Sequence, residues 1–365
     1  MNELLSNRFQ IDSLIGEGNF GSVYKAQDTS TGLNVAIKIE KPCKISQIDT
    51  EVEVLESLSH EKGFPRLIYH GQHKNQKYLA MTLLGHNLQR KMILMRKMIT
   101  LDAVIDIGFQ CFQRIKSLHD HFFIHRDLKP QQFLIDYDSN VSLVDFGLCK
   151  KYLNKKMMIH IPFTDSRPFV GTINYASLNT HNGIQQSRRD DLESFCYILS
   201  YLIKGKLPWI SSRKKFSEKE IKKMKTGLAP SLLFKNLNLI QFFIHVKSLQ
   251  FEKTPDYTYL FSLITKAIEE EKMKSSSKEI PNEISVCSTK SKTKVRRHRK
   301  KGNKNFKRSN LCKTLENFSI SIFDNSGTEV CENMPEIKDR RILEVKFVGQ
   351  VEKYIEKNEY NCCIV

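Results

Sequence analysis

The 365-residue chain has no long apolar run. Its most extended apolar stretch, around Leu239 to Val246, falls well short of the ~20 residues a membrane-spanning helix needs. The amino terminus, MNELLSNRFQ, lacks a basic segment followed by an apolar core, the mark of a secretory leader. None of the nine cysteines forms a C-x-x-C pair and their spacing has no rhythm, which excludes a disulfide framework and reads as reduced intracellular thiols. No internal repeat is present, so a solenoid is excluded too. Carboxylates are scarce, 40 against 58 Lys and Arg, for a net charge of +18. The shortage is local: from Lys272 to Lys313, 15 Lys and Arg face 2 carboxylates, and the remainder is only mildly basic. The basicity is a property of the tail, so no specific nucleic-acid partner is expected for the folded part.

What is present suffices for a large core, at 40% hydrophobic and 10% aromatic residues. Residues 8 to 40 alternate apolar and polar around turns, as an antiparallel sheet does. Phe9, Ile11 and Leu14 precede a glycine-rich turn, Val23 and Tyr24 follow it, and Val35 to Ile39 come after a second turn. Apolar residues from Glu51 to Leu58 have helical spacing, and Tyr78 to Leu84 reads as another strand. From Leu101 the pattern is helical, with Val104, Ile105, Phe109, Phe112, Ile115 and Leu118 on one stripe. A small β lobe before a larger helical one follows, an α+β chain. After Lys266 the apolar period fades, and Ser275 to Ser277 with the following basic run read as a disordered linker. Phe318 to Phe323 and Ile342 to Val348 are candidate short ordered pieces.

The run Ile15, Gly16, Glu17, Gly18, Asn19, Phe20, Gly21, Ser22, Val23 fits G-x-G-x-x-G-x-V. Glycine lets backbone N–H groups approach phosphate oxygens with no Cβ in the way. By themselves these glycines fit an ordinary hairpin turn equally well. A dinucleotide loop would lie between a strand and a helix, whereas this one lies between two strands. Lys38, in Val35-Ala36-Ile37-Lys38, stands where an ammonium on the third strand pairs with phosphates. Glu51, Glu53 and Glu56 compete as its partner.

His125-Arg126-Asp127-Leu128-Lys129 and, 18 residues beyond Asp127, Asp145-Phe146-Gly147 resemble the catalytic loop and metal tripeptide of protein kinases. The resemblance gives Asp127 the acceptor's hydroxyl proton, Lys129 the γ-phosphate charge, and Asp145 an Mg²⁺ bridging the phosphates of ATP. It departs at Gln132, where the usual loop has Asn; Gln132 carries the same amide oxygen one methylene farther out. Two readings follow, an active enzyme or a weakly active, pseudokinase-like module that binds nucleotide or partners.

Several stretches over residues 8 to 266 resemble the casein kinase 1 family. They include Leu83-Leu84-Gly85, His160-Ile161-Pro162, Ala176-Ser177-Leu178-Asn179, the string from Asn179 to Ser194, Leu207-Pro208-Trp209 and Pro255-Asp256-Tyr257. The resemblance implies a two-lobed kinase fold: an antiparallel β lobe at 1–82, a helical lobe at 83–272 and a basic, largely disordered tail at 273–365. It selects Glu51 for the ion pair with Lys38 and Asp191 as a brace for the catalytic loop. It implies that Met81 closes the back of an adenine pocket, that Leu84 offers it backbone hydrogen bonds, and that Ile15, Val23, Ala36 and Leu134 wall it; each apolar member also reads as plain core. The implied activity is ATP-dependent transfer to Ser or Thr of protein substrates, often acidic or already phosphorylated. Lys215 and Arg213 match part of the family's cationic pocket, and a solvated face is the alternative for Lys214, Lys215, Lys222 and Lys223. Asn174 in Gly171-Thr172-Ile173-Asn174-Tyr175 replaces the family's Arg and cannot grip a phosphate with a bidentate fork. Thr164, Ser166 and Thr172 lie in the activation segment, and none is assigned as a regulatory phosphosite.

The tail run Lys294 to Lys301 suits nuclear import, nucleic-acid contact or attraction to anionic lipid. The final Cys362-Cys363-Ile364-Val365 fits C-a-a-X imperfectly, with Cys in the second place and Val last. One lipid chain with a polybasic patch gives stable anchoring, so peripheral membrane association through Cys362 is expected beside a cytoplasmic or nuclear location.

Overall fold

A five-stranded antiparallel sheet forms the amino-terminal lobe of the computed structural model, which describes residues 4–42, 46–95, 99–276, 322–323 and 329–330. Its strands are β1 (Phe9–Glu17), β2 (Gly21–Asp28), β3 (Asn34–Glu40), β4 (Leu67–His73) and β5 (Gln76–Thr82), in the order β1-β2-β3-β5-β4. Strand β3 lies inside the sheet and is buried from Val35 to Lys38. Successive side chains leave a strand on opposite faces. Val35 and Ile37 therefore pack with Phe9, Ala26, Tyr78 and Ala80 on one face. Ala36 and Lys38 take the other face, where Ile15, Val23, Leu79 and Met81 join the main core.

The helix α1 (Gln47–Ser57) packs against this second face. It begins four residues before the expected start at Glu51, because capping rather than apolar spacing sets the boundary. Ser46 accepts from Asp49 N, and the Glu40 carboxylate accepts from Gln47 N at 2.5 Å and Ile48 N at 3.3 Å. Strand β4 was not expected: it is an edge strand whose His70, Gln72 and His73 hide the alternation. Strand β5 stops at Thr82, short of Leu84, because Leu83 to Gly85 form the connection to the second lobe.

The second lobe begins with β6 (His86–Asn87) and α2 (Leu88–Met95), whose first turn is capped by Asn87 Oδ1. Helix α3 (Leu101–Asp120) buries Val104, Ile105, Phe112, Ile115 and Leu118 of the expected stripe and leaves Phe109 half-buried against Phe261. Gly108 within it allows close packing, since a Cβ there would come within 2.5 Å of Leu199. Strands β7 (Phe123–Ile124), β8 (Phe133–Ile135), β9 (Val141–Leu143), β10 (Lys150–Lys151), β11 (Leu153–Asn154) and β12 (Ile159–His160) carry the loops between them, with β10 paired to β7 and β11 to β12. Then come α4 (Leu178–His181), α5 (Arg188–Lys204), α6 (Glu218–Thr226), α7 (Leu237–Ser248) and α8 (Tyr257–Ser276). Phe112 of α3 is the aromatic hub, with ring centroids 5.4 Å from Phe195, 5.3 Å from Phe242 and 4.6 Å from Phe261.

Helix α8 runs on to Ser276, past Lys266 and through two of the serines assigned to a linker. Its core contacts end at Ile268, and polar ties continue the helix: Glu270 and Glu271 accept from Asn236, and Lys274 pairs with Glu271 at 2.6 Å. Among the described residues no helix is long and apolar enough to cross a membrane. Cys111, Cys149 and Cys196 are buried free thiols.

A separate unit contributes only the antiparallel pair β13 (Ile322–Phe323) and β14 (Glu329–Val330). Those two strand residues are the described part of the candidate piece Phe318 to Phe323. The basic run Lys294 to Lys301, Ile342 to Val348 and the Cys362 ending lie outside the described residues.

Candidate active site

Three segments converge between the lobes. The first is strand β3, which presents Lys38 from its inner face. Lys38 Nζ donates to Glu51 Oε2 at 2.6 Å and to Asp145 Oδ1 at 2.7 Å. Of the three competing carboxylates, Glu51 is the one bonded to it; Glu53 pairs with Lys151, and Glu56 is exposed. Burial disfavours charge on all three members of this cluster. The two carboxylates outweigh burial at Lys38, Asp145 foremost, and hold its pKa above the ordinary lysine value. Burial is likewise outweighed at Asp145, where Lys38 keeps the carboxyl far below its usual range, while at Glu51 burial prevails and the pKa rises.

The second segment follows β7 and holds His125, Arg126 and Asp127. Asp191, at the start of α5, grips its backbone: Oδ2 accepts from His125 N at 2.7 Å and Oδ1 from Arg126 N at 3.0 Å. His119 Nε2 lies 3.0 Å from the same Oδ2. Arg126 has φ of 69°, a left-handed conformation rare for a side chain of its size. Its Nε donates to Leu148 O at 2.6 Å, which ties the loop to the segment after Asp145. Asp127 itself lies 3.2 Å from Lys129 Nζ, and its Oδ1 accepts from Thr172 Oγ1 at 2.6 Å. The Thr172 contact had no signal in the sequence beyond its place in the activation segment.

The third segment follows β9. Asp145 is also left-handed, with φ of 67°. Phe146 is fully buried against Phe64 and His125. Asp145 remains 30% exposed and accepts a second bond on Oδ2, from Gln132 Nε2 at 2.6 Å. Gln132 is completely buried and its Oε1 has no protein partner. A buried carbonyl oxygen without a donor is costly in a finished core. With the amide turned about, this oxygen would stand on the side of the partly exposed Asp145 carboxylate now faced by its nitrogen, and two hard oxygens so placed suit a small divalent cation otherwise coordinated by water and phosphate. The residues therefore fit Mg²⁺. Among the described residues no cluster of three His, Cys, Asp or Glu forms a metal cage.

The glycine loop joins β1 and β2. Gly21 has to be glycine, because a Cβ there would lie 2.6 Å from Ile39 O. Gly16 is buried, Ser22 half-buried, and Glu17, Asn19 and Phe20 are exposed, with Phe20 at 47%. Gly18 N donates to Gly21 O at 2.9 Å, and Lys41 Nζ donates to Gly18 O at 2.9 Å and to Glu17 Oε1 at 3.1 Å. Ile15, Val23, Ala36, Met81 and Leu134 are buried, and Leu84 is half-buried in the connection after β5. Ala36 and Met81 face one another across β3 and β5. These apolar walls and the glycine backbone fit a nucleotide.

A cavity of about 210 Å³ opens beside this site, lined by Arg126, Arg167, Pro168, Val170, Thr180, Ile184, Gln185 and Gln186. Gln185 Oε1 accepts from Lys150 at 3.1 Å and from Arg167 at 3.2 Å. The sequence reading placed its cationic patch at Arg213 and Lys215, which are exposed; Lys150 and Arg167 lie far from them in the chain and carried no recognisable spacing. The model of the protein kinase domain matches residues 9–250 of this chain.

Proposed function

This chain belongs to the protein kinase family, and we propose that it is an active, casein kinase 1-like enzyme that phosphorylates Ser or Thr of protein substrates. One observation carries this reading: Lys38 holds Glu51 and Asp145 together while Asp127 stands held by Thr172 and Lys129. All the charged groups that the transfer needs are thus oriented by protein contacts. ATP with Mg²⁺, when bound, supplies the γ-phosphoryl group and neutralises its charge. Asp145 and Gln132 are the residues to hold the metal, and the glycine loop and Lys38 the phosphates. Asp127 accepts the proton of the acceptor hydroxyl; Thr172 occupies its Oδ1, so that task falls to Oδ2, 3.2 Å from Lys129 Nζ. Lys129 offsets the negative charge beside Asp127.

The choice of Ser or Thr rests on the casein kinase 1 resemblance. An acidic preference is supported by the cavity lined by Arg126 and Arg167. Asn174 is uncharged and adds nothing to it, so a strict requirement for phosphorylated substrates is not part of the proposal. A second reading, a module that binds nucleotide and transfers little, is favoured by one feature, the Gln132 amide nitrogen occupying Asp145. Transfer of labelled phosphate from ATP to casein separates the two. Wild type should exceed Asp127→Asn and Asp145→Asn by about 100-fold or more. A wild type no faster than Asp145→Asn would leave the binding module as the answer.

A further inference from the structure

Lys225, in the last turn of α6, is 3% exposed. Its Nζ donates to Ile173 O at 2.9 Å and to Ala176 O at 2.6 Å, and lies 3.1 Å from His181 Nε2. The rings of Tyr197 and Trp209 flank it, with centroids 4.9 and 5.1 Å away. None of its hydrogen-bond partners is a carboxylate. An ammonium buried without a carboxylate beside it costs free energy, which its hydrogen bonds to carbonyls offset only in part.

The carbonyls it holds belong to the loop from Gly171 to Ala176, which carries Thr172 to Asp127. Other donors pull on the same loop from within. Gln186 Nε2 donates to Val170 O at 2.9 Å, Trp209 Nε1 to Asn174 O at 2.8 Å, and the backbone N–H groups of Tyr175 and Ala176 to Thr172 O at 2.9 Å. Gly171, at φ of 117°, lies against Arg126 O with no room for a Cβ. The loop's outer side keeps Ile173 39% exposed. Carbonyls drawn inward hold the loop by its backbone and leave the Ile173 side chain at the surface, one residue from Thr172, which bonds Asp127.

We propose that Lys225 is a positioning residue: it ties both ends of the segment Ile173–Ala176 to the helical lobe and so sets where an acceptor hydroxyl meets Asp127. The proposal rests on the kinase reading above. The aromatic faces and the C-terminal end of α6 favour the cation. Burial works against it and draws the Lys225 pKa down to about 7, with Glu193 and Glu218 opposing the fall and Lys247 adding to it. Burial, then Lys225, lowers the His181 pKa and keeps that ring neutral. His181 Nδ1 lies 3.4 Å from Glu218 Oε1, and its Nε2 lies 3.1 Å from Lys225 Nζ and 3.2 Å from Ile173 O, the carbonyl that Lys225 also holds. The neutral amine still has two N–H groups for the two carbonyls, so the tie holds on either side of neutrality.

The test uses the full chain and Lys225→Met, which keeps the stem and removes the ammonium, assayed below its unfolding temperature. For casein, kcat/KM should fall about tenfold or more, as loss of charge-assisted bonds to a positioning loop does. Nucleotide affinity, titrated with a fluorescent ATP analogue, should stay within twofold. Amide exchange at 171–176 should accelerate while that of α5 does not. Lys225→Gln, which keeps N–H donors, should recover part of the loss, and it replaces Lys225→Met in every readout if that variant does not fold. An acceptor kcat/KM within twofold of wild type overturns the proposal, and so does equal acceleration of exchange in α5. If wild type transfers no phosphate beyond Asp127→Asn, the kinase reading fails instead, and the exchange measurement alone decides the tie.

Discussion

Gln132 bonds Asp145 through its amide nitrogen, while its buried oxygen has no partner. A neutral donor to a carboxylate makes a strong, charge-assisted bond, and a cation competing for Asp145 must displace or turn the amide. Asparagine, one methylene shorter, would hold its oxygen nearer the backbone and reach Asp145 less readily. Gln132→Asn should therefore lower the Mg²⁺ concentration for half-maximal transfer, by about tenfold if the amide acts as a tuning ligand. A titration of rate against Mg²⁺ that superimposes on wild type would show that the longer side chain is no handicap. Asp145 and Lys38 were singled out from the sequence because each lies in a short string, and the structure brings the two side chains together. The orientation of the Gln132 amide was not, because it depends on which neighbours fold around it.

Helix α3 shows how an element is read and how far. Its stripe of Val104, Ile105, Phe109, Phe112, Ile115 and Leu118 has the period of one buried face, and that face is buried apart from Phe109, which lies half-buried at its edge. The partners of the stripe come from α5, α7 and α8, which periodicity cannot name. Phe112→Ala should lower stability by about 3–5 kcal/mol, since the four aromatic neighbours Phe195, Phe242, Tyr257 and Phe261 cannot all close on the space left. Urea unfolding followed by circular dichroism measures it; a loss under 1 kcal/mol would mean that the helices repack freely. Elements of two to four residues, such as β10, β11, β12 and α4, escaped the sequence. They are too short for any period and exist because neighbouring loops present partners. The start of α1 and the end of α8 were misjudged for a related reason, being fixed by Glu40 and by the Asn236–Glu270 contact from outside each helix.

At the scale of the whole molecule, charge couples folding to pH. Asp28 accepts both Arg8 Nε at 2.9 Å and Arg8 Nη2 at 2.7 Å, together with Ser30 N and Oγ. These bonds, Arg8 first, hold its carboxyl far below the ordinary value of 3.8. The folded state then binds fewer protons than the unfolded one as pH falls through about 4, so this stabilisation is present above that pH and lost below it. Thermal unfolding should show a midpoint that drops on acidification below pH 4, and Asp28→Asn should flatten that part of the curve. An unchanged slope would place the acid sensitivity elsewhere. The sequence by itself determined the two-part architecture, the glycine loop and the identity of Lys38, Asp127 and Asp145, because each rests on local periodicity or on residues close together in the chain. Tertiary structure alone decided that Asp145 shares the ammonium expected to pair with Glu51, that Thr172 meets Asp127, that Arg126 and Arg167 line one cavity, and that Lys225 sits beneath the loop. Those pairings join segments tens of residues apart, and burial and hydrogen-bond demand select them only once the lobes have packed.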